Sequence, residues 1–153
     1  QRDGDIVATN GTSPVTLPVP PGQYHISVRH RNHLGVMTAS PINLTTGSTL
    51  NMSTTTLWGT DPMTSIGGVN LLWAGDASFD GVIKYSGSGN DRDLILSRIG
   101  GIVPTNTVSG YFSEDINMNG VTSYTGIGND RDIILLNIGG TIPTNTKNQQ
   151  LPN

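Results

Sequence analysis

Asp76-Ala-Ser-Phe-Asp-Gly-Val82 returns as Asp115-Ile-Asn-Met-Asn-Gly-Val121, 39 positions later. Oxygen-bearing side chains fall at the first, third and fifth places of each stretch, glycine at the sixth and a further carbonyl at the seventh. Working outward, the likeness extends without a gap over 74–107 and 113–146, where 19 of 34 aligned positions are identical. Two copies are too few for a solenoid, which needs three or more repeats to bury its faces. A pseudo-symmetric pair packed against itself is the expectation. In each copy Asn-Asp-Arg-Asp leads into a short apolar run closed by Gly-Gly, then Pro-Thr-Asn-Thr. This pattern predicts helices over Asp93–Ile99 and Asp132–Ile138, with Asp as N-cap, Gly-Gly as stop and an exit turn after it.

The spacing of oxygens in both stretches is that of the first half of an EF-hand loop, in which they converge on a hard cation. Two calcium ions are expected, with Asp76, Ser78, Asp80 and the Val82 carbonyl in the first loop. Asp115, Asn117, Asn119 and the Val121 carbonyl stand at the same places in the second. Magnesium, which demands near-octahedral geometry and keeps its waters, suits such loops less well. No acid stands at the usual twelfth place. Asp93 and Asp132 come six positions later than the usual closing acid, and Asp91 or Asp130 is the alternative closure. Without a metal, the same residues read as Asx turns followed by capped helices.

The rest of the chain reads as β structure. Glycine numbers 20, proline 9, and only 12% of residues are charged, a composition of short strands and many turns. Tyr24, Ile26 and Val28 alternate with Gln23, His25, Ser27 and Arg29, which predicts a strand over Gly22–Arg31 with one face buried. A partner strand is expected over Ser13–Val19, and others over Asp5–Thr9, Leu34–Ala39, Pro41–Leu44 and Ser48–Ser53. The expected organisation is a β portion at 1–56, a linker at 57–70 and the repeat module at 71–153.

Composition also narrows the function. The net charge of −3 offers no basic stripe for nucleic acid, and no apolar run approaches the roughly 20 residues of a membrane span. Eight of the eleven carboxylates lie in 76–132. Cysteine is absent, which removes disulfides and thiolate chemistry. No catalytic set emerges, since G-x-S-x-G is missing and the loop acids are committed to a cation, so no enzyme is expected. His25, His30 and His33 cluster with Arg29 and Arg31, but His25 and His30 point to opposite strand faces and do not share a metal. Arg92 and Arg131 either tie one repeat to the other's carboxylates or face solvent. Gln1 in place of Met leads to the expectation of a processed chain or a fragment.

On Asp76, Ser78, Asp80, Gly81, Asp93 and Leu96, and on Asp115, Asn117, Asn119, Gly120, Asp132 and Leu135, the second half resembles the type I dockerin module. That resemblance implies a duplicated calcium loop with a short helix after each. The six-residue insertion departs from the family where dockerins choose their cohesin. Val15–Arg31, with its Pro-Pro-Gly-Gln-Tyr turn, resembles the later strands of a transthyretin-like sandwich. Through Arg2-Asp-Gly-Asp-Ile6, Arg29-His-Arg-Asn-His-Leu-Gly-Val-Met37 and Gly-Asn-Asp-Arg-Asp, the whole chain resembles a segment of large surface proteins of Bacteroidota.

Together these imply a mainly β fold with short helices: an Ig-like or transthyretin-like β-sandwich portion, then a dockerin-like calcium-loop module. The expected function is structural or adhesive, as part of a cell-surface adhesin or fibre in the extracellular space. The alternatives are a protein-docking module and a carbohydrate-binding module with Trp58, Trp73, Tyr85 and Tyr124 as stacking rings. Self-association by strand addition into a filament is a further expectation, with Leu71–Trp73 or Val108–Phe112 as the inserted strand.

Overall fold

The computed structural model describes residues 6–12, 15, 17–45 and 47–152. It is mainly β, with two short helices. The order is β1 (Gly22–Tyr24), β2 (Ser27–His30), β3 (His33–Met37), β4 (Ile42–Leu44), β5 (Met63–Ile66), β6 (Val69–Leu72), β7 (Val82–Lys84), α1 (Asp91–Arg98), β8 (Thr107–Ser109), β9 (Val121–Ser123), α2 (Asp130–Asn137) and β10 (Thr146–Asn148). Among the described residues the strands form two-stranded antiparallel sheets: β1 with β4, β2 with β3, β5 with β6, β7 with β10 and β8 with β9.

The repeat folds as an intertwined pair. β8, which follows the first helix, pairs with β9 in the second loop, Thr107 opposite Ser123. β10, which follows the second helix, pairs back with β7 in the first loop, Thr146 opposite Lys84. Each copy therefore completes the other's sheet, and neither closes alone. Between them Ile95, Ile134, Ile138, Ala77, Ile116 and Ile83 make the core, with Leu34 entering from β3.

Both helices begin two residues earlier than the sequence suggests, and Asn rather than Asp caps them. Asn90 Oδ1 accepts from the Asp93 N–H at 2.9 Å, and its amide donates to the Asp93 carboxylate at 2.8 Å. Asn129 and Asp132 repeat this at 3.0 and 2.8 Å. This reciprocal pairing satisfies one orphan backbone donor of the first turn in each helix and is worth about 1 kcal/mol. At the other end the Gly101 N–H reaches the Leu96 carbonyl at 2.8 Å and the Gly100 N–H the Ser97 carbonyl at 3.1 Å. Both glycines hold positive φ, the left-handed ending that a side chain resists. A turn over Val103–Asn106 follows, closed by the Asn106 N–H on the Val103 carbonyl.

The first half is more broken than expected. The alternation from Gln23 to Arg29 is present, with Tyr24, Ile26 and Val28 half-buried, but the single strand is divided at His25-Ile26. β1 pairs with β4 while β2 pairs with β3 and shifts register between Val28 and His30, so the chain changes partner midway. No strand forms at 6–9 or 48–53, nor at the described residues 15 and 17–19. Asp5, Ser13, Pro14 and Thr16 lie outside the described residues. The stretch expected as a linker instead carries most of the β5–β6 hairpin, which runs on to Leu72. Its start is held by the Trp58 N–H on the Met37 carbonyl at 2.8 Å. Leu71 and Leu72 are paired within that hairpin, and Val108 within β8–β9.

Candidate functional site: the paired acidic loops

The local fold of each loop follows from one carboxylate gathering the turn around itself. Asp76 accepts the Asp80 N–H on Oδ1 and the Gly81 N–H on Oδ2, both at 3.0 Å, with Ser78 Oγ at 3.3 Å. Asp115 does the same for Asn119 and Gly120 at 3.1 and 3.0 Å. Gly81 and Gly120 hold φ of 85° and 86°, which only the absence of a side chain makes easy. Phe79 and Met118 adopt φ of 59° and 56° with full side chains, the same backbone strain in both copies.

The second carboxylate comes from the helix start. Asp91, wholly buried, accepts the Ser78 N–H at 3.0 Å and the Lys84 N–H at 2.8 Å. Asp130, equally buried, accepts from Asn117 and Ser123 at 3.1 and 2.8 Å. Asp91 and Asp130 therefore face the loops, whereas Asp93 and Asp132 turn away into the capping boxes. The latter side chains are 60% and 59% exposed and pair with Arg92 and Arg131 at 3.2 and 2.9 Å. Each arginine thus pairs with the next acid of its own helix, not with the other repeat's carboxylates, and lies over Tyr85 or Tyr124. Asp80 and Asn119 each cap their own turn, accepting from Val82 and Val121 at 2.9 and 2.8 Å. Asn117 sends its amide to the Gly128 carbonyl.

Electrostatics set Asp76, Asp91 and Asp130 apart from Asp132. Burial pushes Asp91 up to about 6, despite two backbone donors and with the Asp76 charge adding to the shift. Asp76 and Asp130 are also raised, chiefly by burial. For Asp132 burial acts upward, but the Asn129 amide and the Arg131 guanidinium outweigh it and hold the carboxyl low. Among the described residues no three His, Cys, Asp or Glu side chains stand together as a metal cluster. Each loop offers two buried acids, and its other oxygens belong to Ser, Asn, a third Asp or the main chain.

The sequence did not reveal how the first half engages both loops. Asn32, wholly buried in the β2–β3 turn, accepts the Asp76 N–H on its carbonyl at 3.2 Å. Its side-chain amide donates to the Asp115 carbonyl at 2.7 Å. Beside it Arg31 Nε donates to the Phe112 carbonyl at 3.0 Å, and Nη2 stands 3.5 Å from Asp115 Oδ2. The only signal was a dense polar block, Arg29-His-Arg-Asn-His33, at a strand-to-strand turn. His30 and His33 meet at 2.9 Å around the Asn32 side chain, while His25 lies apart on the Thr38 carbonyl.

The four aromatic candidates do not converge. Lys147 sits 3.7 Å above the Trp73 ring and pairs with Asp61, and the two tyrosines lie under arginines. Of the four, only Trp73 lines the cleft of about 590 Å³ beside the end of α2. No helix among the described residues is long and apolar enough to cross a membrane. No family model, curated protein or solved structure matches the chain.

Proposed function

We propose that the chain is a non-enzymatic extracellular structural or adhesive protein, a subunit or segment of a cell-surface adhesin or fibre, whose second half is a dockerin-like module stiffened by two calcium ions. The observation that carries this reading is the pair of buried carboxylates in each loop, Asp76 with Asp91 and Asp115 with Asp130. Burying one unpaired charge costs several kcal/mol, and burying two beside each other costs more. A hard divalent cation relieves both, and carboxylate, amide and carbonyl oxygens are the ligands it prefers. In the first loop Asp76, Ser78, Asp80, the Val82 carbonyl and Asp91 would hold it. In the second, Asp115, Asn117, Asn119, the Val121 carbonyl and Asp130 would. Calcium modules outside cells work at about 0.1–1 mM, which loops with few carboxylates satisfy. The alternating strands of the first half support a sandwich-like portion, and its docking through Asn32 makes the loops part of one rigid arm.

A second reading, a protein-docking module, draws on the unequal surfaces of the repeats. Ile127 and Leu136 are exposed in the second copy where Ser88 and Ser97 stand in the first. The test of the main reading is a calorimetric calcium titration joined to a melting curve and hydrogen exchange. Two sites and a raised melting temperature are expected. Chelation should increase exchange first at Leu94–Ile99 and Ile133–Ile138, whose short helices depend on the loops. No heat of binding and no change in protection would sink it.

A further inference from the structure

The two loops differ in one respect that their own sequences do not show. At the second, a guanidinium from the first half stands 3.5 Å from Asp115 Oδ2, and its Nη2 is buried with no hydrogen-bond partner among the described residues. Arg31 is fixed there from three sides. Its Nε is bound to the Phe112 carbonyl, its guanidinium lies 5.5 Å from the Tyr111 ring centre, and the next residue, Asn32, is bound to the Asp115 carbonyl. The first loop has no counterpart. Among the described residues no cationic side chain forms an ion pair with Asp76, Asp80 or Asp91. Lys84, the nearest cation in its sequence, gives its ammonium to the Ser88 carbonyl at 2.9 Å.

We propose that Arg31 is a built-in counter-charge of the second loop: it competes with calcium for Asp115, and so couples that loop's affinity to the docking of the β2–β3 turn. The inference rests on the calcium reading above. The first loop keeps its carboxylates for the ion. The second shares its leading carboxylate with a fixed positive charge, and a divalent ion entering there meets repulsion from a guanidinium a few ångströms away. At an effective dielectric constant near 20, like charges a few ångströms apart repel, less where water screens them, and a net penalty of about 1.4 kcal/mol is a tenfold change in affinity. Removing the guanidinium charge therefore raises calcium affinity at the second loop by about tenfold. The coupling is reciprocal, so calcium in the second loop loosens Arg31 by the same factor. The first loop is indifferent to Arg31.

The experiment is a calorimetric calcium titration of the full chain with the first loop silenced by Asp76→Asn, comparing Arg31 with Arg31→Met and Arg31→Lys. Methionine keeps the aliphatic stem and removes the charge, whereas lysine keeps the charge. The expected result is about tenfold tighter binding for Arg31→Met and a change under about twofold for Arg31→Lys. Should Arg31→Met fail to fold by circular dichroism, Arg31→Gln makes the same comparison while keeping a donor for the Phe112 carbonyl. Unchanged affinity in the neutral variant, or equal tightening in Arg31→Lys, overturns the proposal while leaving the calcium reading intact. A wild-type chain in which neither loop takes calcium overturns both, and is recognised by the absence of the first-loop site.

Discussion

Thr122 occupies in the second repeat the position that Ile83 occupies in the first, both are wholly buried, and among the described residues the Thr122 hydroxyl has no hydrogen-bond partner. The two β7 and β9 positions are related by the repeat, yet one presents a saturated side chain to the core and the other a polar group stripped of water. The neighbour that precedes each loop differs as well. Gly75 stands where the second repeat has Glu114, whose buried side chain pairs with Arg98 and accepts from the Ser113 hydroxyl. A buried hydroxyl without a partner costs about 1–3 kcal/mol. Thr122→Val, which keeps the shape and removes the hydroxyl, should therefore stabilise the protein by about 1 kcal/mol. A urea unfolding curve with an unchanged slope and a higher midpoint is the expected reading. A lower midpoint would mean that the hydroxyl is bonded after all.

Gly75 makes the complementary case. Its φ is 130°, and an added Cβ would stand 2.9 Å from Ile83 Cγ2 and 3.4 Å from Ile134 Cγ1. Ile83 and Ile134 are core residues with nowhere to retreat, so the clash is not absorbed by a flexible tip. Gly75→Ala should destabilise by about 2 kcal/mol, from overpacking together with the unfavourable backbone angle. Gly87→Ala serves as the comparison, because its φ is also positive but no described residue lies within 4 Å of the added carbon. Equal losses in the two variants would assign the whole effect to the backbone and none to packing.

These asymmetries explain what was and was not legible in the sequence. The repeat, the Gly-Gly helix stops and the exit turns were legible, because each depends on residues close in sequence with a fixed local geometry. The Asn caps were missed because Asn-Asp-Arg-Asp holds three residues able to cap, and only the position of the first helical turn decides among them. The crossing of β8 to β9 and β10 to β7 was not legible, since three-residue strands carry too short a pattern to name a partner. The β5–β6 hairpin was hidden for a similar reason. Met63-Thr-Ser-Ile66 and Val69-Asn-Leu-Leu72 flank Gly67-Gly68, a turn signal set inside a Thr- and Gly-rich stretch that read as linker. The docking of Arg31 and Asn32 depends on contacts spanning 81 and 83 positions, which periodicity does not encode.

His33 sets a pH dependence that can be signed. Burial, then the His30 and Arg31 charges, push it down to about 4 from the ordinary value near 6.5. The unfolded chain therefore binds the proton more readily than the folded one between those two values. Stability from this group is fully present above about pH 6.5 and is lost as the pH falls toward 4. The raised carboxyl of Asp91 acts with the opposite sign in an overlapping window, because the folded form there holds the proton more tightly. The two contributions are separated by comparison with His33→Gln. The difference in unfolding free energy between wild type and variant should shrink on acidification from pH 7 to pH 4.5. A constant difference across that range would show that His33 does not titrate in this way.

The closing acid of the first loop is decided by a pair of substitutions. Asp91 is wholly buried and holds the Ser78 and Lys84 N–H groups, so it binds the two ends of the loop together at the side where an ion would sit. Asp93 is two residues further along α1, reaches back to Asn90, and meets Arg92 at the surface. The sequence alone allowed either to complete the ligand set. Their surroundings differ, because the Asp93 carboxylate is engaged by Asn90 and Arg92 and turned to solvent, whereas Asp91 faces the loop. Asp91→Asn keeps the shape, halves the acceptor capacity and removes one of the two buried charges. It should abolish the first-loop calcium site in a titration while the second site persists. Asp93→Asn should leave both sites in place and lower stability by about 0.5–1 kcal/mol, the loss of a charge near the helix N-terminus and of part of the box. Calcium binding retained in Asp91→Asn but lost in Asp93→Asn would reverse the assignment and place the ion on the helix side of the loop.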